Sequence, residues 1–131
     1  MAKRVLIVDD DPEFVETTKI ILEANGYKTQ VANNGGEALA RLEKEKPDII
    51  LLDVMMRTVG DGVWVSQKLR SDDRLRGVPI LMITAVNKES DTRSFRLDPN
   101  SDGDFLPVDG FLEKPVEPDV LLREVARLIK Q

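Results

Sequence analysis

Short apolar runs, mostly of branched aliphatic residues, recur along this chain at positions 5–8, 49–52 and 78–83. A strand with one wet face alternates apolar and polar residues, whereas a strand covered on both faces reads as a continuous Val/Ile/Leu run. Between the runs, apolar residues recur at helical spacing. Phe14, Val15, Thr18, Ile21 and Leu22 lead to a stop at Asn25 and Gly26. Ala38, Leu39 and Leu42 mark a second amphipathic segment that runs out before Pro47. Val63, Val65 and Leu69 mark a third, over about 63–70. Leu121, Val125, Leu128 and Ile129 mark a last one, from about Pro118 to Lys130. Positions 27–32 alternate as a half-buried strand does, and Gly110, Phe111 and Leu112 begin a fifth strand. Strict β–α alternation predicts a parallel sheet with helices on both faces.

Right-handed crossovers leave few topologies for such a chain. The expected fold is α/β: a flavodoxin-like, doubly wound, five-stranded parallel sheet in the order 2-1-3-4-5. In that order the first and third strands are neighbours, and ligands bind outside the carboxyl ends of the strands. Asp9, Asp10 and Asp11 close the first run, Asp53 closes the run at 49–52, and Lys114 follows the fifth strand. The topology therefore predicts a shared crevice for Asp9, Asp10 and Asp53.

Composition narrows the chemistry. The 131 residues suit one domain with a real core, and 41% apolar with 33% charged residues is a globular balance. With neither cysteine nor histidine, thiolate metal sites, disulfides, thiol catalysis and histidine acid–base chemistry are excluded. A formal charge of −5 argues against a nucleic-acid backbone as partner. No apolar stretch approaches the roughly 20 residues that span a bilayer. The four apolar residues before Asp9 are too few for a signal-peptide core, so a cytoplasmic location is expected.

Crowded carboxylates repel, so something positive must offset them. Lys114 is one candidate. A divalent cation is the other, and Mg²⁺ suits an all-oxygen site that also meets phosphate oxygens. An aspartate beside such a metal can act as a nucleophile and form an aspartyl-phosphate. Two plainer readings stay open at this level: a solvated loop with a helix N-cap at Asp9 to Asp11, and the Asp-x-Asp spacing of haloacid-dehalogenase-type phosphatases. The latter leaves Asp53 without a role in a short chain.

Taken together, Val-Leu-Ile-Val-Asp9-Asp10-Asp11-Pro, Asp-Ile-Ile-Leu-Leu-Asp53-Val-Met-Met, Ile-Thr84-Ala85 and Phe111-Leu-Glu-Lys114-Pro115 resemble the receiver domain of two-component response regulators. The resemblance covers almost the whole chain. It implies a phosphoacceptor switch rather than an enzyme: Asp53 would take a phosphoryl group from a sensor histidine kinase or phosphotransfer protein, and the change would alter affinity for a downstream protein. It also implies Mg²⁺ held by Asp10 and Asp53, by Asp9 directly or through water, and by the backbone carbonyl of Met55. Lys114 would pair with Asp53 and then with phosphoryl oxygens. Thr84 would turn its hydroxyl onto the phosphoryl group, Phe111 would fill the space Thr84 leaves, and Lys114-Pro115 would be the family's cis peptide. The chain closes on its last helix, which reads as a single, stand-alone receiver. The alternative is a receiver-like interaction module that signals without phosphorylation.

Several positions depart from the pattern. Arg57 stands where the loop after Asp53 carries a proline, and the Asp61-Gly62 pair comes one residue late. Met55 and Val86 are apolar where the family influences the attacking water, which predicts a long-lived phosphoryl group. The stretch between Thr84 and Lys114 exceeds a usual receiver by about two helical turns' worth of residues, an insert at about 87–108. Within it, Asp98, Asn100, Asp102, Asp104 and Asp109 follow the spacing of a calcium loop, although Asp109 replaces the usual glutamate and Asp/Asn/Gly clusters more often form turns. Phe105, Leu106, Pro107 and Val108 form an apolar patch that either packs back on the sheet or docks a partner or a second copy.

Overall fold

The computed structural model describes residues 2–53, 60–85 and 108–129, without the side chains of 60–64, 84 and 85. The elements run β1 (Arg4–Val8), α1 (Pro12–Ala24), β2 (Lys28–Ala32), α2 (Gly35–Lys44), β3 (Ile49–Leu52), α3 (Gly60–Ser71), β4 (Ile80–Ala85), β5 (Gly110–Lys114) and α4 (Pro118–Ile129). All described strand pairs are parallel, in the order β2-β1-β3-β4-β5. This is the expected doubly wound sheet.

Continuous apolar runs become strands buried on both faces because alternate side chains point to opposite sides. Leu6, Val8, Ile50, Leu52, Ile80 and Met82 pack on one face with Ala38 and Leu42 of α2 and Val65 and Leu69 of α3. Val5, Ile7, Ile49, Leu51, Leu81 and Ile83 pack on the other with Leu22 of α1 and Leu121, Val125 and Leu128 of α4. The central strands thus separate two apolar layers, and a polar residue on either side of β1 or β3 would lack water.

Local signals set the ends of the elements. Asp11 caps α1 and Pro12 opens it, where the missing N–H costs no helical hydrogen bond. Gly26 after α1 has φ +89°, a left-handed turn that side-chain-bearing residues resist. Asn34 caps α2, with Oδ1 accepting the Glu37 N–H at 2.9 Å while Glu37 reaches back to the Asn33 N–H at 3.1 Å.

Three boundaries differ from the sequence reading. Val78 is buried, but in a turn, its N–H donated to the Leu75 carbonyl at 3.0 Å; β4 begins only after Pro79. Tyr27 belongs to the turn that closes α1, donating to the Leu22 carbonyl at 3.1 Å. Helix α3 starts at Gly60, ahead of the segment expected from about position 63.

Asp109 closes the far end of the sheet. Its N–H donates to the Ile80 carbonyl at 2.8 Å, and its Oδ2 accepts the Ile80 N–H at 2.8 Å and the Arg70 guanidinium at 2.6 Å. Val108 packs back against the α2–α3 face. The rest of the insert lies outside the described residues.

Candidate functional site

Register brings the acidic residues together. Val8 of β1 pairs with Leu52 of β3, so Asp9 and Asp53 leave adjacent strand tips side by side. The ladder continues past the strands: Asp53 N–H donates to the Val8 carbonyl at 2.9 Å, and Asp9 N–H to the Ala32 carbonyl at 3.1 Å. Both backbones are therefore fixed, and both residues are buried, at 1% exposure for Asp9 and 4% for Asp53. Asp10 is half-buried beside them. One carboxylate oxygen from each of Asp9, Asp10 and Asp53 lies within 4.8 Å of the other two.

Lys114 enters from the tip of β5, and the Lys114–Pro115 peptide is cis. Its Nζ lies 2.9 Å from Asp9 Oδ2 and 3.6 Å from Asp53 Oδ2, so its closer carboxylate is Asp9 rather than Asp53. The remaining Asp9 oxygen, Oδ1, accepts the Asp11 N–H at 2.9 Å and shapes the turn into α1. Asp11 itself faces the helix: its Oδ1 accepts from Glu13 N at 3.1 Å and Phe14 N at 3.4 Å. Of the three consecutive aspartates, two face the cluster and the third is the N-cap.

The donor set fits a hard divalent ion. Every candidate ligand is a carboxylate oxygen, the type Mg²⁺ prefers. Among the described residues, three carboxylates against one ammonium leave a formal charge of −2, which a dication matches. Asp9 Oδ2 is buried and, the ammonium contact aside, has no hydrogen-bond partner among the described residues. Such an oxygen is costly unless something positive faces it.

The other expected site residues fall as follows. Thr84 sits in β4 in register with Glu113 of β5; its hydroxyl lies outside the described atoms. Phe111 pairs with Met82 and packs, half-buried, on the α2–α3 face. Met55, Asp98, Asn100, Asp102 and Asp104 lie outside the described residues. Asp109 is engaged by Arg70 and the Ile80 N–H, so any cation there would face a guanidinium. Sequence reasoning missed one contact: the Phe14 ring lies under Lys114, with Nζ 4.3 Å from its centroid. A helix pattern marks Phe14 as apolar and cannot show that a lysine a hundred positions later crosses its face.

Residues 5–126 match the family model of the response regulator receiver domain. The chain belongs to this family. Among curated relatives, the receiver is 35% identical over 98% of its length to the DNA-binding dual master transcriptional regulator RpaA of Synechocystis sp., covering 49% of that protein. It is 38% identical over 99% of its length to the alkaline phosphatase synthesis transcriptional regulatory protein PhoP of Bacillus subtilis, covering 48% of it. The chain thus spans about half the length of these relatives. Among solved structures, a putative response regulator from Chloroflexus aurantiacus matches with TM-score 0.84 and 28% identity over 100% of both chains. The receiver domain of a sensor histidine kinase from Pseudomonas aeruginosa, described with a magnesium ion coordinated in its active-site cleft, matches with TM-score 0.84 and 26% identity over 100% of both chains. The family is a phosphoacceptor signalling domain of two-component systems and generally not a true enzyme. No helix among the described residues is long and apolar enough to cross a membrane.

Proposed function

We propose that this receiver is a phosphorylation switch with Asp53 as the acceptor. The observation that carries this reading is the convergence of three carboxylates within 4.8 Å of one another, two of them facing the Lys114 ammonium. Asp10 and Asp53 would hold Mg²⁺ directly, with the Met55 carbonyl as a further ligand. Asp9 is better suited to a water-mediated role, because Oδ1 accepts the Asp11 N–H and Oδ2 faces Lys114. When bound, the metal supplies charge neutralisation for the incoming phosphoryl oxygens.

A carboxylate oxygen of Asp53 attacks phosphorus as the P–N bond to a kinase or phosphotransfer-protein histidine breaks. The imidazole leaves, and an acyl phosphate forms on Asp53. Lys114, which faces both Asp9 and Asp53, would then pair with a phosphoryl oxygen. The group adds roughly −1.5 to −2 charges and strong acceptors. Its pairing with Lys114 and the Thr84 hydroxyl biases two conformations, with Phe111 as the second switch residue. The output is a changed affinity for a downstream protein, in the cytoplasm.

Treatment with acetyl phosphate and Mg²⁺ tests the reading. The expected result is a mass gain of one phosphoryl group in the wild type and none in Asp53→Asn. A wild type that takes up no phosphoryl group would instead favour an interaction module that signals without phosphorylation.

A further inference from the structure

Among the described residues, Lys114 meets two carboxylates and an aromatic ring. Its Nζ lies 2.9 Å from Asp9 Oδ2, 3.6 Å from Asp53 Oδ2 and 4.3 Å from the centre of the Phe14 ring. The ring's position is not accidental to the site. Phe14 stands in the first turn of α1, its N–H held at 3.4 Å by the Asp11 cap that the aspartate loop itself provides. Its side chain packs against the apolar layer between the sheet and helices α1 and α4. The ring is therefore anchored on the element that carries the aspartates, while the lysine comes from β5.

Beside this contact lies a cavity of about 450 Å³, whose walls include Thr17, Ile21, Val116 and Leu121 as well as Phe14 and Lys114. A lysine stem is flexible and its ammonium strongly hydrated. Asp11 and Glu13 also line that cavity and offer the ammonium an alternative to the cluster. An aromatic face attracts a cation through its quadrupole, and it does so without adding charge. A carboxylate in the same place would hold the lysine too, but would make the cluster still more negative and compete for the ammonium. The ring leaves the formal charge matched to a divalent ion.

We propose that Phe14 is a positioning residue for phosphoryl transfer, whose ring face holds the Lys114 ammonium over Asp9 and Asp53 and out of the adjoining cavity. This inference rests on the phosphoacceptor reading of the site. A cation–π contact at the weaker end of the usual range corresponds to about a two- to fivefold effect on a rate that depends on it.

The test uses the full chain, with three substitutions at position 14 and two readouts. In the wild type, NMR is expected to show the Lys114 ε-methylene protons shifted upfield by the ring current. In Phe14→Leu that shift disappears and the rate of phosphorylation by acetyl phosphate with Mg²⁺ falls about two- to fivefold. Phe14→Tyr restores both. Replacement of Phe14 by 3,4,5-trifluorophenylalanine keeps the shape while weakening the quadrupole, so its rate should fall as in Phe14→Leu. Ordinary ε-proton shifts for Lys114 in the wild type would overturn the proposal. So would a trifluorophenylalanine protein that phosphorylates at the wild-type rate, since the ring would then act only as bulk. An upfield shift in a wild type that takes no phosphoryl group refutes the Asp53 reading, and with it a role for Phe14 in transfer, while leaving the ring–ammonium contact established.

Discussion

Replacing Lys114 by methionine removes the ammonium and keeps most of the stem. The pair distances of 2.9 and 3.6 Å correspond to gross attractions of about 6 and about 5 kcal/mol at an effective dielectric of about 20. Desolvation offsets much of that. Removing one partner of a buried pair typically costs about 3–5 kcal/mol. The lysine side chain is 15% exposed against 2% and 5% for the two carboxylates, so water reaches one partner. The expected loss in EDTA is therefore nearer about 2–4 kcal/mol. Mg²⁺ should restore more stability to Lys114→Met than it adds to the wild type, because it relieves a larger unbalanced charge. Binding at a hundredfold excess over Kd contributes about 2.7 kcal/mol. Urea denaturation followed by circular dichroism, in EDTA and in Mg²⁺, measures both quantities, and a cycle with Asp9→Asn isolates the closer contact. A loss below about 0.5 kcal/mol in EDTA, the scale of an ordinary surface substitution, would refute the reasoning. An Mg²⁺ increment equal in the two proteins would refute it as well.

Three further outcomes are expected. Asp11→Ala should cost about 1 kcal/mol through loss of the α1 cap yet leave a protein that acetyl phosphate phosphorylates; a loss of Mg²⁺ binding in titration calorimetry would make Asp11 a ligand instead. Asp109→Ala strands the buried Ile80 N–H and removes the carboxylate that faces Arg70, so urea denaturation should register a loss of about 1–3 kcal/mol; unchanged stability would show that water substitutes freely. Met55 and Val86 cannot orient a water by hydrogen bonding, so label on the purified phosphoprotein should decay slowly and Met55→Asn should hasten it; rapid decay of the wild type without a phosphatase counts against this.

The fold was legible because its central strands, covered on both sides, need unbroken apolar runs, and the runs at 5–8 and 49–52 fall in β1 and β3. Boundaries were less so. Val78 is apolar because it is buried in a turn, and burial alone does not distinguish a strand from a turn. Glycine disfavours a helix, so a reading from propensity stops short of Gly60, whereas α3 begins there. The acidic cluster followed from topology: residues after neighbouring parallel strands must meet. The division of labour within it did not, because Asp9, Asp10 and Asp11 are alike in sequence, and only turn geometry turns the last toward the helix. The spacing of a calcium loop likewise could not reveal that Asp109 ties β5 to β4 and Arg70.

Site mapping of the acyl phosphate is the most direct test of the account. Protein treated with acetyl phosphate and Mg²⁺ is reduced with borohydride, which converts an aspartyl-phosphate to homoserine, and the peptides are sequenced by mass spectrometry. Homoserine at position 53, dependent on Mg²⁺, is the expected result. Modification at Asp9 or Asp10 instead, or none at any aspartate, would contradict it.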